Sequence, residues 1–234
     1  MKLFYLTPII LQKLIWLPVR LTLVVFGKME IYGVENLRSL KGNGLFVSNH
    51  TSELDACIVA SSIPFWSNFS PVFFASRENK FYDTSGWRRH IYGGTFFKLF
   101  GAQPIYGGFK DYEKSLVNHV QLLKDGKSIL IFPEGRITSD GSIQSAHGGV
   151  AYLAAHSTCH IIPVAISGAY RMSLSDFFCR RRTIIIRFGQ PIHRDEFEVV
   201  VHQDADPFDN IYRREADYMM EKIQELLRTP VSFE

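Results

Sequence analysis

The chain has 234 residues, 46% of them hydrophobic and 14% aromatic, with a formal net charge of +3. That composition excludes a disordered polypeptide, and so mild a charge argues against nucleic acid as a partner. Three cysteines, Cys57, Cys159 and Cys179, lack CxxC spacing and suit a reduced, cytosolic compartment.

The first 28 residues mark the sharpest shift in composition. Lys13 and Arg20 interrupt the apolar run before it reaches the ~18–20 residues of a spanning helix. No compact apolar region with a small-residue cleavage site marks a signal peptide. At helical spacing Lys2, Lys13 and Arg20 share one side, with apolar residues over most of the rest. Pro8 and Pro18 predict two short helices instead of one rod. Residues 1–28 are therefore read as a peripheral or monotopic membrane element on a cytoplasmic face. A helical pair packed on the domain's own core is the alternative.

Short apolar, β-rich runs follow: "MEIYGV" (29–34), "GLFVSN" (44–49), "PVFFAS" (71–76), "SILIFP" (128–133), "IIPVAI" (161–166) and "TIIIRF" (183–188). Several lack polar alternation, as strands covered on both faces do. Between them "DYEKSLVNHVQLLKDG" sets Leu116, Val120 and Leu123 on one helical face and stops at Gly126. "GGVAYLAAHS" reads as a helix, and "DNIYRREADYMMEKIQELLR" as a long amphipathic one ended by Thr229-Pro230. The alternation predicts a single α/β domain over 29–234, with a largely parallel or mixed central sheet flanked by helices. Ligands of such sheets gather beyond the C-terminal ends of the strands.

Two strand ends carry chemistry. In "SNHTSELD" (48–55), His50 offers an imidazole suited to proton transfer, and Asp55 a carboxylate able to orient it. A turn and a helix cap explain the same residues. In "FPEGR" (132–136), Gly135 permits close backbone approach and Arg136 offers a guanidinium fork for phosphate or carboxylate. Glu134 is read as orienting that arginine or meeting a substrate hydroxyl. Alone, this pattern is an ordinary turn. "CRRRT" (179–183) is a solvated charge run that also suits lipid or donor phosphates. His147, His156, Cys159 and His160 lack zinc spacing, so no metal site is assigned. No G-x-S-x-G elbow is present, and Cys57 sits deep in an apolar run.

Together these blocks resemble the glycerophospholipid acyltransferases typified by 1-acylglycerol-3-phosphate O-acyltransferases. "HTSELD" with Asn49 before it resembles their first block, and "FPEGR" their third. "IIPVAISGA" around Pro163 and "RFGQPI" (187–192) resemble the later strands. The resemblance spans roughly residues 30–195. It implies acyl transfer from acyl-CoA or acyl-carrier protein to the free hydroxyl of a lysophospholipid, with 1-acylglycerol-3-phosphate the first acceptor. It implies His50 as base and Asp55 as its orienter, with no bound cofactor. It places Asn49, Arg77, Lys110, Glu134, Gly135 and Arg136 at the acceptor, and backbone N–H groups near the helix starts at the oxyanion. Two departures matter. Gly107 stands where the second block carries an arginine, leaving Lys110 nearest, and Arg136 follows Gly135 directly. Lysophosphatidylethanolamine, glycerol-3-phosphate or an aminolipid thus stay open as acceptors, and so does a catalytically silent lipid-binding protein.

Overall fold

The computed structural model describes residues 5–76, 95–106, 111–197 and 208–230. Arg77, Gly107 and Lys110 lie outside these described residues. Seven strands among the described residues form one sheet in the order β1-β7-β6-β2-β5-β3-β4. They are β1 (Glu30–Tyr32), β2 (Gly44–Ser48), β3 (Val72–Ser76), β4 (Ala102–Pro104), β5 (Ser128–Ile131), β6 (His160–Ser167) and β7 (Ile185–Phe188). All neighbouring pairs are parallel except β6–β7. The sheet is thus mixed, with β1 and β7 reversed against the other five. The short β4 begins inside "GAQPI", where three residues give little periodicity to read.

The apolar runs follow from coverage of both faces. Leu45, Val47, Ile129 and Ile131 face one core layer. Phe46, Leu130, Ile162 and Val164 face the other. The first layer is closed by α4 (Tyr112–Lys124), α5 (Gly149–Ala155) and α7 (Phe208–Arg228). The second is closed by α1 (Leu6–Phe26) and α2 (Asp55–Ser62). Two short helices complete the described chain, α3 (Thr95–Leu99) and α6 (Leu174–Phe178). α4 stops as expected: Gly126 takes φ +73°, while Gly126 N and Lys127 N donate to the carbonyls of Leu123 and Leu122. Its buried stripe is Leu116, His119, Leu122 and Leu123, so it includes a histidine that the periodicity did not single out.

The N-terminal segment departs from expectation. α1 is one helix of 21 residues, not two. Pro8 falls in its first turn, where an amide hydrogen would have no partner anyway. Pro18 removes one internal bond, and the Thr22 hydroxyl donates to the Pro18 carbonyl at 2.8 Å. The body of the protein supplies the remaining restraint. Gln12 Nε2 donates to Val72 O and Phe100 O, both at 2.7 Å. Lys13 Nζ donates to Phe65 O at 2.6 Å, Trp16 Nε1 to Ile63 O at 2.9 Å, and Arg20 Nη1 to Ser61 O at 2.8 Å. The polar side of α1 therefore points into the protein. Ile10, Leu14, Leu17, Leu21, Val24 and Val25 are exposed along the other side.

Strand register prepares the site. Val47 of β2 pairs with Ile131 of β5. Three residues further along each strand lie His50 and Glu134, so the two sequence blocks emerge level at the same edge of the sheet.

Candidate active site

The Asp55 carboxylate organises the turn that follows β2. It is fully buried and stands at the start of α2. Oδ2 accepts the Thr51 N–H at 2.5 Å and the Ser52 N–H at 2.8 Å. Oδ1 accepts the Thr51 hydroxyl at 3.1 Å and the Ser52 hydroxyl at 2.6 Å. His50 Nδ1 completes the set, 2.9 Å from Oδ2. With Nδ1–H donating to Asp55, Nε2 is the ring nitrogen with a lone pair for another partner. The His50 ring stacks on Phe132, with centroids 4.1 Å apart and planes 13° from parallel. Packing below and a carboxylate at one edge fix the imidazole plane. The sequence names Phe132 only as part of its block, so this contact is new.

Glu134 is buried, and among the described residues no hydrogen bond or ion pair joins it to Arg136, so the orienting role expected toward that arginine is not seen. Its Oε1 accepts the His50 N–H at 2.8 Å, and its Oε2 accepts the Gln144 N–H at 3.0 Å. Burial raises its carboxyl pKa, and these two N–H bonds only partly offset that rise. Thr138 N donates to His50 O at 2.8 Å, a second bridge between the two blocks. Asn49 is also spent on structure. Its amide bonds both backbone groups of Ile166, at 2.9 and 2.8 Å, and extends the β2–β6 ladder past the last strand pair. Neither residue is among those lining the cavity beside the dyad. The backbone N–H groups of residues 50–52, just ahead of α2, are taken by Glu134 and Asp55.

Beside the dyad lies a cavity of about 1280 Å³. His50, Gly135 and Arg136 line it, as do Ile15, Trp16 and Val19 of α1, Phe74 of β3 and Leu116 of α4. Its walls are mainly apolar, and its volume suits a long hydrocarbon chain. Arg136 is exposed at the rim and forms no ion pair among the described residues. His147 also lines the cavity. Gly135 has φ +65°, and a Cβ there would meet the His147 ring at 3.2 Å. The glycine thus lets a second imidazole approach the loop, a role that its position in "AHGG" does not advertise. Cys57 lines the cavity wall, where its surface is open to the cavity while neighbours crowd its thiol. Its thiol pKa is raised by burial among its neighbours and by the charge of Asp55, which opposes thiolate formation.

An imidazole held in one tautomer at the wall of an apolar cavity can serve as a general base. Residues 28–167 match the family model described as Acyltransferase. The chain belongs to that family. It is 25% identical over 181 residues to the chloroplastic 1-acyl-sn-glycerol-3-phosphate acyltransferase LPAT1 of Arabidopsis thaliana, covering 76% of this chain and 47% of that protein. It is 30% identical over 126 residues to the lyso-ornithine lipid O-acyltransferase of Pseudomonas aeruginosa, covering 53% and 42% respectively. The chain thus spans under half the length of these curated relatives. The crystal structure of the 1-acyl-sn-glycerophosphate acyltransferase PlsC from Thermotoga maritima superimposes with a TM-score of 0.56 at 17% identity, covering 93% of this chain and 82% of that one. That likeness shows the fold.

Proposed function

We propose that this protein transfers a fatty acyl group from an acyl thioester, acyl-CoA or acyl-carrier protein, to the free hydroxyl of 1-acylglycerol-3-phosphate. The observation that carries this reading is His50, fixed by Asp55 and Phe132, lining an apolar cavity that has Arg136 at its rim. His50 Nε2 removes the hydroxyl proton as the oxygen attacks the thioester carbonyl. A C–O bond forms, the C–S bond breaks, and the proton passes from the imidazolium to the leaving thiolate. Asp55 keeps Nδ1 as the donor and balances the charge. Base assistance of this kind supplies about 10²–10⁴-fold, and positioning of both substrates supplies much of the rest. Arg136 meets the acceptor's phosphate, and the cavity takes its chain.

α1 serves as the membrane element in this reading, lying on the cytoplasmic face. Its apolar side is exposed, its polar side is fastened to the body, and by length and composition it is apolar enough for a bilayer. A helix held along the protein by four side chains lies in the interface instead of crossing it. Trp66 is 86% exposed, and its ring lies 5.3 Å from Lys13 Nζ, as suits an aromatic at headgroup depth.

A second acceptor class, an aminolipid, is favoured by the likeness to the lyso-ornithine lipid O-acyltransferase. Purified protein in lipid vesicles, given acyl-CoA or acyl-carrier protein and a panel of lysolipids, separates these readings by free thiol and diacyl product. Equal product rates for wild type and His50→Ala would refute the assignment of the base.

A further inference from the structure

Outside the cavity, the largest apolar side chains exposed away from α1 and Trp66 include Leu174 and Phe178, at 77% and 57%. They stand four residues apart on α6 and share its outer face. Several devices hold this short helix in place. Ser173 and Asp176 form a capping box at its start. At its end, Arg180 N and Arg181 N donate to the carbonyls of Phe177 and Asp176, at 3.1 and 2.9 Å. This closing turn puts Arg180 at φ +55°, a conformation in which glycine is the usual occupant. The chain keeps an exposed arginine there, at a conformational cost, beside a second exposed arginine.

α6 is also continuous with the face of α1. Phe26 at the end of α1 meets Phe177 and Phe178, with ring centroids 6.0 and 5.2 Å away. A Cβ on Gly27 would sit 3.1 Å from the Phe177 ring, so the glycine admits that approach. Exposed basic residues follow both elements, Lys28 after α1 and Arg180 and Arg181 after α6, with Arg182 half-buried and Asp176 within α6. Asp176 is already bonded to Ser173 and lies 3.9 Å from Arg181, while Arg182 donates to the Tyr170 carbonyl. Arg180 has no recorded partner for its guanidinium among the described residues.

We propose that α6 and its closing turn form a second membrane contact, with Leu174 and Phe178 entering the acyl boundary and Arg180 and Arg181 binding the phosphates of anionic lipids. The occupant is a bilayer because the patch is apolar, rimmed by positive charge and joined through Phe26 to the α1 face. This rests on the membrane reading above and extends it from an apolar helix to a surface that discriminates lipid charge.

The test is sedimentation of the full chain with vesicles of phosphatidylcholine alone and of equimolar phosphatidylcholine and phosphatidylglycerol. Arg180→Gly should leave thermal stability equal or higher, because it relieves the backbone, yet weaken binding to the mixed vesicles about fivefold. Adding Arg181→Ala should bring the loss to about thirtyfold, with little change on neutral vesicles and with the difference erased by high salt. Leu174→Ser/Phe178→Ser should weaken binding to both. If wild type binds neither vesicle, the membrane reading itself fails. If wild type binds and the α6 variants bind equally well, this proposal alone is overturned. Unchanged vesicle binding with altered self-association would assign the patch to a second copy of the chain and overturn it too.

Discussion

The His50 N–H is held by the Glu134 carboxylate at 2.8 Å, so a residue just past one strand is fixed by a residue just past its neighbour. Glu134 also holds Gln144 N and so joins three segments in one buried group. Glu134→Gln keeps one carbonyl oxygen but aims an NH₂ at a backbone N–H. The expected loss is about 1–3 kcal/mol of stability, because a buried donor is left without an acceptor. The fall in kcat should exceed any change in KM, since His50 moves while the cavity stays. Thermal melts and steady-state kinetics on the same preparation check this. A rise in KM alone would mean that Glu134 contacts the acceptor.

His50 and Asp55 should separate in their effects. His50→Ala removes a half-buried ring and should lower kcat by about 10²–10⁴-fold with a small change in melting temperature. Asp55→Ala leaves the amides and hydroxyls of Thr51 and Ser52 without their acceptor. It should therefore lose both activity and roughly 3 kcal/mol or more of stability. If Asp55→Ala melts like wild type, the carboxylate does not organise this turn.

Arg136 is the test of acceptor charge. Arg136→Ala should raise KM for a phosphate-bearing acceptor by about tenfold to a hundredfold, in line with the loss of a charged hydrogen bond. Arg136→Lys should recover only part, since an ammonium lacks the bidentate fork. An unchanged KM would move phosphate recognition to residues other than Arg136.

Cys57 lines the cavity, yet the proposed chemistry does not use it. Cys57→Ser should retain wild-type kcat, and no acyl group should appear on the protein by mass spectrometry after a single turnover. Loss of activity together with an acyl adduct in the wild type would replace direct transfer by a covalent route.

Acid should weaken the fold through His119. This side chain is fully buried on α4, and neither ring nitrogen has a hydrogen-bond partner of good geometry among the described residues. Burial pulls its pKa from 6.5 down to about 4, opposed weakly by the nearby Gln103 backbone. Between those values the unfolded chain binds the proton and the folded chain does not, so stability rises with pH across the window. The contribution is complete above pH 6.5 and is lost as pH falls through 4, to a total of roughly 3 kcal/mol. His119→Leu should flatten the urea midpoint between these two pH values. The same slope in the variant would assign the acid sensitivity to other groups.

Much of the architecture was legible because both faces of the sheet are covered. Continuous apolar runs marked β2, β5, β6 and β7, and the glycine stop marked the end of α4. The dyad was legible as residue types at a strand end. The roles of Asn49 and Glu134 were not, because an amide and a carboxylate near a site read alike whether they face a ligand or a neighbouring strand. Only the register that sets Val47 against Ile131 puts Glu134 next to the His50 amide. α1 hides its form for a related reason. Pro8 and Pro18 mark breaks in an isolated helix, whereas Gln12, Lys13, Trp16 and Arg20 supply tertiary bonds that keep it whole.

The placement of α1 bears on how the proposed reaction is fed. At ~1.5 Å per residue the helix runs about 30 Å along the body, and Ile15, Trp16 and Val19 form part of the cavity wall. A lysolipid drawn fully into water would forfeit about 0.8 kcal/mol for every methylene. Entry sideways, past a helix that borders the cavity and, in the proposed orientation, lipid, avoids most of that cost. Turnover should then follow the mole fraction of acceptor in the leaflet, not its bulk concentration. Diluting the vesicles at constant composition should leave the rate per bound enzyme unchanged, while diluting the acceptor with inert lipid should lower it.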